Sequence, residues 1–343
     1  MTAGETTVDL NFTGLEHWLS DSLSTPVSDL KAARIGGGNS SGAVQLEFTT
    51  PQGARSLVLK APNDGGLVFD CDATREAAIL KAAHLAGAPV PRVVVIETTG
   101  EVVGTASFAM ELVEGRGVPE STPASFHDDG WFREESDDVQ RGIWFSFLDT
   151  LVKLHAIDTS DIPAHYSVDG VAGYLDYWRR SLLDAAAESH VPRQLAIIDW
   201  LGANIPPGAD DTPALCMGDA RLGNAILQGN DVRALVDFEV AYIGNPAADI
   251  GYCVMHEAFT RMLSQQPATG IPTVEETWDY WEAATGRTVF DRSYWTALGA
   301  TLMCVTATRA MLKWGFPLET IDNDNIVVAE LEGLVAGATA AKR

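Results

Sequence analysis

The sequence predicts an α+β protein of two lobes, a small β-rich N-terminal lobe and a larger, mainly helical C-terminal lobe. Three observations carry this reading. A chain of 343 residues is long for a single compact core. Up to Leu112 the apolar residues fall in short strand-like runs around two short helical stretches. Beyond Glu114-Gly115 helical spacing takes over, interrupted by one strand-rich island. The expected division is 1–112 and 116–343, with a hinge at 111–115.

In chain order, residues 14–23 place Leu15, Trp18 and Leu19 on one face of a short amphipathic helix. Ile35 leads into Gly36, Gly37 and Gly38, and residues 43–48 partly alternate like a strand. Pro51-Gln52-Gly53 is a turn, and residues 56–60 form the second arm of a hairpin. Residues 74–85 read as a helix through Ala77, Leu80 and Ala83, stopped by Gly87 and Pro89. Residues 93–96 and 107–112 are two further strands. Helices are expected at 139–156, 174–189, 193–203, 274–285, 293–314 and 322–336. The island covers 214–240 and turns at Gly229-Asn230.

Bulk properties exclude several classes. The net charge of −24, from 47 acidic and 23 basic residues, repels nucleic acid and anionic lipid. No apolar run approaches a membrane span, and the first ten residues lack the basic and apolar parts of a signal peptide. Cys71, Cys216, Cys253 and Cys304 are scattered, as small buried hydrophobes are in a reduced, cytoplasmic protein. A monomer or homodimer is expected.

The island carries the chemistry. It reads Cys216-Met217-Gly218-Asp219-Ala220-Arg221-Leu222-Gly223-Asn224, then a strand, a turn, and Ala234-Leu235-Val236-Asp237-Phe238-Glu239. A hairpin between 225 and 236 brings Asn224 and Asp237 to one open end, with Asp219 on the loop that feeds it. Such oxygen ligands suit Mg²⁺, which also takes phosphate oxygens, and leave one carboxylate to orient a hydroxyl. The competing reading makes all three ordinary turn and cap residues.

The D-x-x-x-x-N run followed by Asp on the next strand resembles the catalytic centre of protein-kinase-like folds. GDARLGN with VDFEVAYIGNPAADIG, and LVKLHAID at 151–158, are similar in particular to the aminoglycoside and choline phosphotransferase superfamily. The likeness runs from about residue 30 to 310 and is most specific in the C-terminal half. It implies ATP and Mg²⁺ as cofactors and a small-molecule hydroxyl as acceptor. By the same resemblance Asp219 is the catalytic carboxylate, Asn224 and Asp237 are the metal ligands, and Arg221 holds the catalytic loop or contacts phosphate. Asp249 ties a helix start to that loop, and Glu239 lies near enough to join a second metal or a substrate amine. In the N-terminal lobe, Gly37, Gly38, Ser40 and Ser41 form a strand–glycine–strand cover for phosphates. Lys60 meets the phosphates and Glu76 holds it. Backbone groups from Glu111 to Val113 meet the adenine.

One position departs from the pattern: Met217 stands where the family usually carries a histidine. That leaves open a nucleotide-binding pseudokinase without turnover. His155 is expected to be a satisfied core or loop-bracing residue. The acidic run 127–138 is either a receiver of amines or a solvated loop, and the acceptor is either an aminoglycoside-like amine or a hydroxylated acyl or lipid compound.

Overall fold

The computed structural model describes residues 11–35, 41–62, 67–120, 125–162 and 169–341. The N-terminal region contains α1 (Phe12–Leu23), β1 (Ser28–Arg34), β2 (Ser41–Thr50), β3 (Gly53–Pro62), α2 (Ala73–Leu85), β4 (Val93–Glu97) and β5 (Ser107–Glu111). The five strands form one antiparallel sheet in the order β1-β2-β3-β5-β4. Alternation along β3 separates its two faces. Leu57 and Leu59 pack with Val44, Leu46 and Phe48 beneath Leu15 and Leu19 of α1. Val58 points the other way, into the core that contains Ala77 and Leu80 of α2. Lys60, two residues on, therefore shares the α2 face.

The sequence did not reveal β1, and its accessibility explains why: most of this edge strand is exposed, so it carries no apolar alternation. The expected glycine cover is only partly describable. Gly37, Gly38 and Ser40 lie outside the described residues, whereas Ser41 opens β2 opposite Pro62.

The remainder is mainly helical, as the sequence predicts. It comprises β6 (Arg116–Gly117), α3 (Trp131–Glu134), α4 (Asp137–His155), α5 (Gly170–Ala185), α6 (Pro192–Ala203), β7 (Ala214–Cys216), β8 (Ala225–Gln228), β9 (Asp231–Leu235), β10 (Tyr242–Gly244), α7 (Ala247–Leu263), α8 (Val274–Thr285), α9 (Arg292–Lys313), α10 (Ile321–Asp324) and α11 (Ile326–Ala341). β6, β8 and β9 form one small sheet, and β7 pairs with β10 in another. The hairpin is shorter than expected. β9 stops at Leu235, and Asp237 takes a left-handed φ of 71° that no strand allows.

Much of the acidic run 127–138 is used in helix starts. Asp128 accepts from Ser125 N–H at 2.9 Å, and Ser136 caps α4, whose first turn holds Asp137 and Asp138. The run is therefore not the solvated loop expected, since it holds α3 and the first turn of α4, and these acidic side chains serve local structure.

One long core joins α2 and part of the sheet to the C-terminal helices. Its closest helix pair is α7 against α9, where glycines let the backbones touch. A Cβ on Gly299 would stand 2.2 Å from the Tyr252 nitrogen, and one on Gly251 would stand 2.0 Å from the Trp295 carbonyl oxygen. Gly299→Ala is therefore expected to destabilise the protein by about 3 kcal/mol through overpacking. In an open helix the same change would stabilise by roughly 1 kcal/mol. Urea unfolding of the two proteins checks the sign.

Candidate phosphotransfer site

The site is assembled at the junction of sheet, α2 and the island. Asp72 caps α2 by accepting from Thr74 N–H at 2.8 Å, which places Glu76 in the helix's first turn. From there Glu76 Oε1 lies 2.7 Å from Lys60 Nζ and accepts from Phe238 N–H at 3.0 Å. Lys60 Nζ also contacts Asp237 Oδ1 at 2.6 Å, a residue 177 positions away in sequence. Lys60 and Glu76 are 5% and 3% exposed, so these charges sit out of water and depend on one another. Burial works to lower the Lys60 pKa, but the charges of Asp237 and Glu76 outweigh it and push the ammonium above its ordinary range. Burial pushes Glu76 up, against the pull of Lys60.

The second half of the site is the turn after β7. Gly218 has φ of 80°, and a Cβ there would meet the Val240 carbonyl oxygen at 2.5 Å, so glycine is required. Asp219 accepts from Arg221 Nε at 3.0 Å and from Asn224 Nδ2 at 2.9 Å. Asn224 Nδ2 also donates to the Asp219 carbonyl at 3.0 Å. With its amide hydrogens so engaged, Asn224 has Oδ1 as its remaining cation ligand. The Val236 N–H donates to the Asn224 carbonyl at 2.9 Å, which sets Asn224 and Asp237 at the same end of the β8–β9 hairpin. Burial works to raise the Asp219 pKa. The charge of Arg221 and a hydrogen bond from the Tyr252 hydroxyl prevail, holding the carboxyl below its ordinary value.

The turn is braced from α7. Asp249, 1% exposed, accepts from Met217 N–H at 2.7 Å and Gly218 N–H at 2.9 Å. The Trp281 indole N–H donates to His155 Nδ1 at 3.2 Å, so His155 carries its hydrogen on Nε2 and donates it to Asp249 Oδ2 at 3.0 Å. Met217 itself is buried. Its backbone N–H is held whatever its side chain, so the missing histidine removes none of these bonds.

Other expected residues fall less simply. Glu111 ends β5, and its N–H is committed to the Arg92 carbonyl at 2.9 Å, so it is not a donor to adenine. The Glu111 side chain pairs with Arg92 at 2.5 Å, and Val113 follows outside the strand. Glu239 is buried, with its Oε2 3.7 Å from Cys71 Sγ and its carbonyl 3.4 Å from Arg75 Nη2. Among the described residues no group of three or more His, Cys, Asp or Glu is arranged to hold a metal. The oxygen pair of Asn224 and Asp237 fits Mg²⁺ that takes its other ligands from phosphate and water.

Sequence reasoning missed three neighbours of Asp219. Arg221 is ion-paired to Glu120 as well as to Asp219, and Glu120 Oε1 lies 3.5 Å from His256 Nε2. Tyr252 and His256 follow Asp249 at helical spacing, a signal the sequence does contain. Nothing local marks Glu120.

Residues 31–283 match the phosphotransferase enzyme family, and the chain belongs to that family. Acyl-CoA dehydrogenase family member 11 of Gallus gallus is 29% identical over 231 residues, 62% of this chain and 27% of that protein. Probable acyl-CoA dehydrogenase IBR3 of Arabidopsis thaliana is 26% identical over 268 residues, 72% of this chain and 31% of that protein. The chain thus spans less than a third of the length of either curated relative. A solved Ralstonia eutropha protein that carries a provisional aminoglycoside-phosphotransferase name superposes with a TM-score of 0.71 at 20% identity, covering 96% of this chain and 99% of its own. An aminoglycoside phosphotransferase solved with ADP and hygromycin B gives 0.54 at 14% identity, covering 94% and 98%. These likenesses establish the aminoglycoside-phosphotransferase, kinase-like fold.

A buried histidine beside α7 is expected to make stability depend on pH. His127 Nδ1 accepts from Ala268 N–H at 3.3 Å, and its Nε2 faces Glu257 Oε1 at 3.6 Å. Burial, with the Arg261 charge, pulls the His127 pKa from 6.5 to about 4. The unfolded chain therefore binds the proton first, and the contribution of His127 is complete above pH 6.5 and lost as pH falls towards about 4. Denaturant melts of the parent and His127→Gln should show a stability difference that shrinks across this interval. A difference independent of pH would contradict the assignment.

Proposed function

We propose that this protein transfers the γ-phosphate of Mg-ATP to a hydroxyl of a small molecule. The observation that carries the reading is the convergence of Lys60, Glu76 and Asp237 beside the Asp219–Asn224 pair. One buried cation and a pair of oxygen ligands form the cradle that a metal-bound polyphosphate needs, and a separate carboxylate stands beside it. When bound, Mg²⁺ supplies charge neutralisation at the phosphates. Lys60, released from Asp237, pairs with phosphate oxygens while Glu76 keeps it in place. Asn224 Oδ1 and the Asp237 carboxylate would hold the cation. The carbonyl of Glu111 and the backbone of Val113 offer the adenine its polar edge.

Asp219 orients the acceptor hydroxyl and receives its proton. The hydroxyl proton passes to Asp219 as the oxygen–phosphorus bond forms and the bond to ADP breaks. With a hinge at 111–115, the nucleotide would lie on the N-terminal side of this centre, and the acceptor between the Asp219 loop and the C-terminal helices.

A hydroxylated acyl compound is the acceptor we favour over an aminoglycoside-like amine. Its support is the likeness to chains named as acyl-CoA dehydrogenases, together with acidic side chains that serve local structure, Asp128 in a turn and Asp137 and Asp138 at the start of α4. A nucleotide-binding pseudokinase is the second reading, raised by Met217; the bracing of Met217 N–H by Asp249 counts against it.

The test is ATP turnover with Mg²⁺ by purified protein across hydroxyacyl compounds, aminoglycosides and simple amines. Asp219→Ala should lower turnover on the order of 10²- to 10⁴-fold while leaving Mg-ATP affinity nearly unchanged. Equal rates would sink the role of Asp219. Binding of Mg-ATP with no turnover toward any acceptor would favour the pseudokinase.

A further inference from the structure

We propose that Glu120 is a positioning residue of the phosphotransfer site, fixing Arg221 against Asp219 and coupling both to α7 through His256. The proposal rests on the phosphotransfer reading above. Arg221 serves two carboxylates with different parts of its guanidinium: Nε reaches Asp219 at 3.0 Å, and Nη1 is ion-paired to Glu120 Oε2. A planar fork held at two points has one orientation, whereas a guanidinium bound only to Asp219 could pivot about that contact. Glu120 Oε1 is buried, has no hydrogen-bond partner among the described residues, and faces His256 Nε2 at 3.5 Å. His256 and Tyr252 occupy one side of α7, and Tyr252 hydrogen-bonds Asp219. The carboxylate of Asp219 is thereby held by Arg221 and Asn224 of its own loop and by Tyr252 of α7, and Glu120 reaches it through Arg221.

The loop also makes room for this carboxylate. A Cβ on Gly223 would stand 2.0 Å from Glu120 Oε2. Gly223 has no positive φ to require glycine, so the space it leaves is what the position provides. The strand just before Glu120 pairs with β8, Arg116 opposite Leu227 and Gly117 opposite Ile226. Glu120 is therefore anchored to the same hairpin that carries Asn224 and Asp237. Displacing it shifts Arg221 relative to both the proposed base and the proposed metal ligands. Glu120 acts on the reaction through Arg221 and Asp219.

The experiment uses the full chain with Glu120→Gln and Glu120→Asp, each checked for an unchanged fold by circular dichroism. Nitrogen NMR of the arginine side chains, with the Arg221 signals assigned by Arg221→Lys, reads the placement directly. The parent should show distinct Nη signals for a guanidinium whose rotation is hindered. Glu120→Gln should merge them, and Glu120→Asp should keep them in part. With an acceptor found by the turnover panel, Glu120→Gln should lower kcat on the order of 10²-fold, with KM for Mg-ATP changed by less than about twofold because the nucleotide cradle is untouched. Freely rotating Arg221 in the parent, or unchanged signals in Glu120→Gln, overturns the proposal. So does an unchanged kcat in a parent that turns over. A parent inactive toward every acceptor sinks the phosphotransfer reading, and this role with it.

Discussion

The buried contact of Lys60 with Glu76 and Asp237 is the constraint on which the site depends. It joins β3, the first turn of α2 and the segment after β9, three pieces of chain that share no local sequence. Removing one partner from such a buried group typically costs about 3–5 kcal/mol, because the remaining charge is left uncompensated. The geometry of the N-terminal sheet is thus tied to the position of the proposed metal ligand. Asp237 meets Lys60 from a left-handed conformation that is unfavourable for a residue with a side chain. The surrounding contacts sustain it, including the Phe238 N–H bond to Glu76.

A second constraint acts on the loop of Asp219. Asp249 gathers two backbone N–H groups and the His155 Nε2–H, and Trp281 orients His155 in turn. These residues come from α4, α7 and α8, so the loop inherits the rigidity of the helical packing. The close approach of α7 to α9 at Gly251 and Gly299 sets where α7 lies. Core packing and the orientation of Asp219 are therefore linked through one helix. This is also why Met217 need not resemble the usual histidine: the bracing runs through its backbone, and its side chain is buried in the core.

Much of this was legible in the sequence because polar residues interrupt apolar strands where packing has no use for them. Asp219, Asn224 and Asp237 stand out on that ground, and Lys60 stands out as a lysine closing the apolar run of a strand, which in the structure continues to Pro62. What stayed hidden has physical reasons. The first nine residues of α7, Ala247 to Met255, are buried on every side, so that half shows no polar face, and the helix was read only as a start at Asp249. β1 is an exposed edge and shows no alternation. Glu120 is 101 residues from its partner Arg221, and a long-range ion pair leaves no local spacing to detect. The left-handed turn at Asp237 was missed because the position bears no glycine to announce it.

The central claim is that the Lys60 triad is a nucleotide cradle. Calorimetric titration of Mg²⁺ with a non-hydrolysable ATP analogue into the parent and into Lys60→Met tests it most directly. The account requires binding by the parent and a loss of at least about tenfold in affinity in a folded Lys60→Met, corresponding to roughly 1.4 kcal/mol or more. Equal affinities, or no binding by the parent, would contradict it.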